Sequence, residues 1–156
     1  MTTHPESPDG VETAKRGKPS CDLRKRASTK RSSPVVLEGV AKFLASDVVA
    51  VLPGVGQIEG REELVDYVRQ SWDAFPDGQY QSLHKYESGN TAIDVGRYVG
   101  TNTGPLTMPT GESIPATGKT ADWRACALAT VEDGLITQYE FYFDQLDLMQ
   151  KLGLVP

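Results

Sequence analysis

The chain is poor in the residues that build metal centres and disulfide scaffolds. It has two cysteines, Cys21 and Cys126, and two histidines, His4 and His84, among 156 residues. These four side chains match no familiar metal-ligand spacing. A chain of this length also buries a core large enough to fold without disulfide bonds. We therefore expect free thiols and no metal.

Long apolar runs are also missing. No stretch approaches the ~20 apolar residues of a membrane-spanning helix, and no apolar segment of a secretory signal follows Met1. The sequence has no phosphate-binding glycine loop and no serine nucleophile motif. These absences predict a soluble, cytoplasmic protein that acts without a cofactor and does not bind membranes.

Charge divides the chain into two parts. Residues 1–34 hold eight basic and four acidic side chains, whereas residues 35–156 hold eight basic and seventeen acidic side chains. Residues 1–33 have few apolar side chains and no helical apolar stripe, which predicts a disordered basic leader. The alternative is a tail that binds nucleic acid or membranes. Residues 34–156 are expected to form one acidic domain that does not bind nucleic acid.

Residue periodicity predicts helices first and strands afterwards. Pro34 begins a helix of about three turns that reaches Leu44, and Arg61 begins a second helix that ends near Phe75. The predicted strands are Val48–Leu52, Gln79–Glu87, Ala92–Thr101, Thr120–Val131 and Leu135–Phe143. Residues 104–118 are expected to form an irregular loop, and Asp144 to cap a short last helix. A type I turn or tight hairpin at Glu132-Asp133-Gly134 is expected to join the last two strands. This order predicts an α+β domain with an antiparallel meander.

Four motifs occur in order along the second half of the chain. They are Gly100–Gly104, Pro109–Gly111, Asp133–Ile136, and Asp144-Gln145 followed by Lys151–Leu154. Together they resemble the polyketide-cyclase-like (SnoaL-like) branch of the nuclear-transport-factor-2-like superfamily, from about Asp47 to the end. The resemblance implies a cone-shaped α+β barrel, with N-terminal helices wrapped around a curved antiparallel sheet. It also implies a homodimer formed through the sheet.

The same resemblance implies a deep apolar pocket that binds a small hydrophobic molecule. Aromatic side chains are its expected walls. The candidates for substrate contact are Tyr67, Trp72, Trp123, Tyr139, Phe141 and Phe143. Each could equally be plain core packing, because aromatic side chains dominate apolar cores.

The acid and base of the resembled cyclases are missing here. Aligned on Gly134, the resemblance implies a catalytic aspartate at Phe141 and an assisting histidine at Ala127. Neither side chain can transfer a proton. Asn102 also replaces the middle residue of the usual G-T-H-T-G segment. Catalysis in this chain therefore needs another carboxylate.

Asp94 is the candidate for that carboxylate. Alternation along its strand places it on one face with Gly96, which leaves space for a ligand, and Tyr98, which can donate to an oxyanion. The competing arrangement turns Asp94 to solvent. His84, predicted on the same strand face as Tyr80 and Tyr86, is a candidate proton relay or a packed or surface histidine.

A second constellation resembles that of epoxide hydrolases in the same superfamily. Asp122 and Arg124 point to one side of their strand, and with Asp144 they could imitate an Asp-Arg-Asp set. We favour the arrangement in which Trp123 points into the pocket and the charged pair points out. Asp144 then serves as a helix N-cap.

Three functions remain open at this point. The first is a cofactor-independent enzyme of the polyketide-cyclase type, which closes a ring by an aldol step or isomerises a hydrophobic carbonyl compound. Its catalytic residues would be Asp94, Tyr98 and His84. The second is a non-catalytic ligand-binding or assembly module, and the third is an epoxide hydrolase. The side chains that face the pocket distinguish the three.

Overall fold

The protein is represented by a computed structural model that describes residues 34–156, and the predicted leader, residues 1–33, lies outside the described residues. The elements in chain order are α1 Pro34–Ala41, β1 Leu44–Leu52, β2 Gly56–Glu59, α2 Arg61–Ala74, β3 Gln79–Ser88, β4 Thr91–Thr101, β5 Leu106–Thr107, β6 Ser113–Ile114, β7 Thr120–Glu132, β8 Leu135–Phe143 and α3 Gln145–Leu152. Among the described helices, none combines the length and the apolar character needed to cross a membrane.

Six strands form one curved sheet in the order β2-β1-β8-β7-β4-β3, with β2 and β3 at open edges. The predicted α+β class is confirmed. The sheet is mixed, because β1 runs parallel to β8, and this corrects the prediction of a wholly antiparallel sheet. Apolar alternation is the same for either strand direction, so the sequence pattern did not encode this pairing.

The first helix is shorter than predicted. α1 ends at Ala41, and Leu44 instead begins β1, where it is buried with Val48. The backbone N–H of Ile136 donates to the carbonyl oxygen of Phe43 at 2.7 Å, next to the start of β1. Sheet pairing with β8 therefore prevailed over the helical spacing of the apolar residues.

The loop after β4 is more regular than predicted. Within the segment expected to be irregular, β5 and β6 pair with each other as a short antiparallel hairpin. The tight turn predicted between the last two long strands is confirmed. It is a two-residue loop in which Asp133 and Gly134 have φ values of 50° and 82°, as a type I′ hairpin requires.

The core has two parts, one on each side of the site described below. The first joins the buried face of β1 to Leu64 of α2. The second joins Trp123 of β7 to Leu148 and Leu152 of α3. α3 begins where predicted, because the Asp144 carboxylate accepts a hydrogen bond from the backbone N–H of Asp147 at 3.0 Å.

Candidate functional site

A cavity of about 560 Å³ lies between α2, the concave face of the sheet and the β5–β6 hairpin. This volume falls within the usual range for small-molecule sites. Seven aromatic side chains that the sequence singled out line it: Tyr67, Trp72, Tyr98, Trp123, Tyr139, Phe141 and Phe143. The structure thus brings the six candidate wall residues together with Tyr98, and their contact with a substrate stays a prediction.

The rings form a continuous aromatic surface. Tyr98 stacks on Trp123 with ring centroids 5.4 Å apart and planes 10° apart. Phe141 meets Tyr98 edge-on at 6.3 Å and lies parallel to Tyr139 at 6.4 Å. Phe143 packs against Phe141 at 5.7 Å. These residues occupy alternate positions of β4, β7 and β8, so the pleat turns them all to the concave face.

Two tyrosine hydroxyls in this cavity are held in the neutral form. Burial raises the pKa of Tyr67, on α2, and burial likewise raises the pKa of Tyr139, on β8. The nearby hydroxyl of Tyr98 raises both values further, because two neighbouring phenolates would repel each other. The cavity therefore offers neutral phenol groups that can donate hydrogen bonds.

Asp94 lies on the concave face of β4, half-buried, in a cluster of polar side chains. Its Oδ1 accepts hydrogen bonds from the Ser82 hydroxyl at 2.7 Å and from the Tyr80 hydroxyl at 3.0 Å. Donors of this kind stabilise the ionised carboxylate and fix its orientation. Asp94 does not line the cavity. It lies on the same face of β4 as Tyr98, and Tyr98 does line the cavity.

The space beside Gly96 is filled by protein. A methyl group at Gly96 would overlap the ring of Tyr80, which lies across the glycine. The prediction that this glycine leaves space for a ligand is therefore wrong. Its missing side chain instead lets the ring of Tyr80 cross β4, which brings the Tyr80 hydroxyl to Asp94.

His84 does not join this cluster. A bulge in β3 makes Ser82 pair with Gly96 but His84 pair with Val95, so the side-chain alternation shifts by one residue. His84 is therefore exposed on the convex face, opposite Tyr80 and the cavity, and its predicted position beside Tyr80 is wrong. The sequence prediction assumed that side chains alternate without interruption along β3. The bulge breaks this alternation, and no residue pattern in the sequence indicates it.

One row of paired residues crosses the concave face. Asp94 of β4 pairs with Ala127 of β7, and Ala127 pairs with Phe141 of β8. We call these three residues the central row. Directly paired residues on adjacent strands share a face and lie about 5 Å apart. Asp94 thus lies directly beside Ala127 on the neighbouring strand. The sequence could not predict this proximity, because the register between two strands is not encoded in either strand alone.

The charged residues of the epoxide-hydrolase hypothesis do not face the cavity. Arg97 donates to Asp122 at 2.7 Å on the convex face, and these hydrogen bonds hold the pKa of Asp122 below its usual value. Arg124 is exposed on the same face, and Asp144 caps α3. The favoured arrangement predicted that these three groups would not converge on the cavity, and the structure agrees with it. Within residues 34–156, no three His, Cys, Asp or Glu side chains are placed to hold a metal ion.

Asn102 is a buried structural residue that the sequence marked only as a departure from a motif. It is 0 % exposed, and its Nδ2 donates to the carbonyl oxygens of Gly104 at 2.8 Å and Ala74 at 3.2 Å. Its Oδ1 accepts from the backbone N–H and the hydroxyl of Thr117. Asn102 therefore ties the end of α2 to the two sides of the β5–β6 hairpin, which forms part of the cavity wall.

The family follows from a comparison with known domains. A family model described as a SnoaL-like domain matches residues 36–139. The chain belongs to the SnoaL-like family. The resemblance inferred from the four motifs is thereby confirmed, although no curated protein matches the chain.

Solved structures share the SnoaL-like fold at low sequence identity. A protein from Jannaschia sp. CCS1, assigned as a SnoaL-like polyketide cyclase, is 18% identical with a TM-score of 0.71, covering 80% of this chain and 83% of its own. IdmH from Streptomyces antibioticus, assigned as a polyketide cyclase, is 21% identical with a TM-score of 0.64, covering 79% and 91%. AclR from Streptomyces galilaeus, assigned as a hydroxylase, is 19% identical with a TM-score of 0.65, covering 77% and 72%.

Proposed function

We propose that this SnoaL-like protein is a cofactor-independent enzyme that acts on a hydrophobic carbonyl compound by an aldol-type ring closure. The observation that supports the proposal is the central row. The position that resembles the family's histidine, Ala127, pairs directly with Asp94. A carboxylate is therefore retained in the row where the resembled cyclases place their acid and base, displaced onto the neighbouring strand.

The proposed reaction starts with Asp94 as the base. Asp94 takes a proton from the carbon next to a substrate carbonyl, and the electron pair of the C–H bond forms an enolate. Tyr98 donates a hydrogen bond to the enolate oxygen. The enolate carbon attacks a second carbonyl carbon of the same molecule, which forms the ring bond, and the resulting alkoxide takes the proton from Asp94. His84 has no part in this step, because it lies on the convex face.

Proton exchange at carbon tests this proposal directly. The purified protein is incubated in D2O with 2-acetylnaphthalene, a hydrophobic aromatic ketone, and its methyl protons are followed by NMR. We expect exchange at least about tenfold faster than with heat-unfolded protein, because enolisation is the first half of the aldol step. A rate equal to that control, with the ketone shown to bind, would contradict the proposed reaction.

A non-catalytic ligand-binding module is the second candidate. It is supported by the absence of titratable side chains at Ala127 and Phe141, and by the two hydroxyl donors that engage Asp94. Both candidates predict ligand binding. A ligand at a hundred times its dissociation constant should stabilise the fold by about 2.7 kcal/mol, measured as a raised unfolding midpoint. A panel of aromatic esters, steroids and terpene epoxides would identify the class that binds.

We also propose that the protein forms a homodimer through the convex face of its sheet. Exposed apolar side chains cluster there, including Tyr86, Val99 and Tyr142. Val99→Lys should convert a dimer to a monomer in light scattering, because a lysine would be desolvated in the interface. Leu146→Lys is the matched control, since Leu146 is exposed on α3, away from the sheet. A monomeric wild type would contradict the proposal.

A further inference from the structure

The hydroxyl group of Tyr139 is a polar group in the cavity that the proposed reaction leaves unused. The ring of Tyr139 is part of the cavity wall and lies parallel to Phe141. Its hydroxyl makes no hydrogen bond to any residue in the described range 34–156, in contrast to that of Tyr80, which engages Asp94. Tyr139 therefore has a donor and an acceptor that the protein does not use.

This hydroxyl is open to the cavity. Every fully enclosed side-chain nitrogen or oxygen in the described part of the chain has a hydrogen-bond partner. The oxygen of Tyr139 has none, so it is not fully enclosed, and the space that its side chain lines is the cavity. A phenol without a partner in apolar surroundings is unfavourable, and a ligand that supplies an oxygen acceptor removes that cost.

An uncharged oxygen of the ligand is the best acceptor for the hydrogen bond that the Tyr139 hydroxyl can donate. The charged residues of the cavity wall are Glu63 and Asp66, and the wall contains no Lys, Arg or His from the described residues. A carboxylate or phosphate in the cavity would find no positively charged lining residue there to offset its desolvation. The chemistry of this wall therefore favours a neutral carbonyl.

Tyr139 and Tyr98 lie on opposite sides of the central row. Tyr139 pairs with Ala129, one same-face position from Ala127 towards the β7–β8 turn. Tyr98 pairs with Trp123, two same-face positions away in the other direction. The two tyrosines therefore line the cavity at different levels of the sheet, one on each side of the central row.

We propose that Tyr139 is a second carbonyl-binding residue of the site. It donates a hydrogen bond to the carbonyl that the enolate attacks, while Tyr98 donates to the enolate oxygen. This assignment rests on the proposed function and narrows its substrate class to neutral, aromatic-bodied molecules with two separated carbonyl groups. Hydrogen bonding by Tyr139 polarises the attacked carbonyl and orients it towards the deprotonated carbon.

The test uses two ligands of similar shape. 2,6-Diacetylnaphthalene is neutral and has a carbonyl at each end, whereas 2,6-diisopropylnaphthalene has none. Binding is followed by the fluorescence of Trp72 and Trp123, which both line the cavity. Tyr139→Phe removes only the hydroxyl, and we expect it to weaken binding of the diketone by about fivefold to tenfold without changing binding of the hydrocarbon.

Tyr142→Phe is the matched control. Tyr142 also lies on β8, but it is exposed on the convex face and donates to Glu140, so this variant should bind both ligands as the wild type does. Thermal unfolding should show that Tyr139→Phe is at least as stable as the wild type, because the substitution removes no hydrogen bond within the described residues.

The infrared stretch of the bound carbonyls gives a second readout. We expect lowered frequencies for both carbonyls in the wild type, and the return of one of them to the unbonded value in Tyr139→Phe. Unchanged diketone affinity and an unchanged spectrum in this variant would overturn the assignment. The result is independent of turnover, since the binding assay needs no Asp94. Failure of the proposed chemistry and failure of this assignment are therefore distinguishable.

Discussion

Asp94→Asn is expected to slow carbon-proton exchange and ring closure by about a hundredfold to ten-thousandfold, the usual contribution of a general base. The amide cannot accept the proton, but its oxygen can still accept the hydrogen bonds that Ser82 and Tyr80 donate to Oδ1 of Asp94. The shape of the site should therefore survive. Kinetics with the exchange assay measures the loss, and thermal unfolding measures whether the fold persists.

Asp122→Asn is the matched control for this substitution. Asp122 lies on the convex face of β7, where Arg97 donates to it, and it does not line the cavity. This variant should keep wild-type turnover, although it loses a surface ion pair that solvent largely screens. Full activity in Asp94→Asn would remove Asp94 as the base and assign the proton transfer to another group.

Asn102→Asp is expected to destabilise the fold by about 3–5 kcal/mol at neutral pH, as removal of one partner of a buried polar network usually does. The substitution hardly changes the size of the side chain. It replaces Nδ2, which donates to the carbonyl oxygens of Ala74 and Gly104, with an oxygen that is repelled by both. Denaturant unfolding measures the change in the free energy of unfolding.

The loss caused by Asn102→Asp should depend on pH. In the folded state the new carboxyl would be buried beside two carbonyl oxygens, which raises its pKa above the unfolded value of about 3.9. The protonated form can donate one of the lost hydrogen bonds, so part of the stability is present below the unfolded pKa. That part is lost as the pH rises through the folded pKa.

Asn90→Asp is the matched control for this effect. Asn90 is exposed in the turn between β3 and β4, so a charge there stays hydrated and should change stability by less than about 0.5 kcal/mol. Equal stability of Asn102→Asp and the wild type at neutral pH would contradict the structural role of Asn102. Loss of stability with intact ligand binding at low temperature would separate this role from a direct contact with the ligand.

The hairpin of β7 and β8 shows which features the sequence could predict. Trp123 and the alanines that follow it occupy alternate positions of β7, and Tyr139, Phe141 and Phe143 occupy alternate positions of β8. This spacing predicted one apolar face on the hairpin, and these residues line the cavity or pack beside it. The Asp133-Gly134 turn predicted the connection, because both positions accept positive φ. Strong periodicity and turn chemistry are local, so a single chain reveals them.

The polar part of the site shows which features the sequence could not predict. The bulge in β3 moves His84 to the convex face, and the ring of Tyr80 occupies the space over Gly96. Neither depends on local propensity. Both follow from the packing of β3 against β4, where a one-residue change in register exchanges the two faces of a strand.

Periodicity was sufficient to predict the α+β class, because it depends on local residue patterns. The four motifs carried the resemblance to the SnoaL-like family, and that resemblance implied the aromatic wall of the cavity. Only the tertiary structure decided that β1 runs parallel to β8, that Asp94 pairs with Ala127, and that the Tyr139 hydroxyl opens into the cavity. The physical reason is that register, strand direction and hydrogen-bond satisfaction arise between segments distant in the chain, where sequence periodicity carries no information.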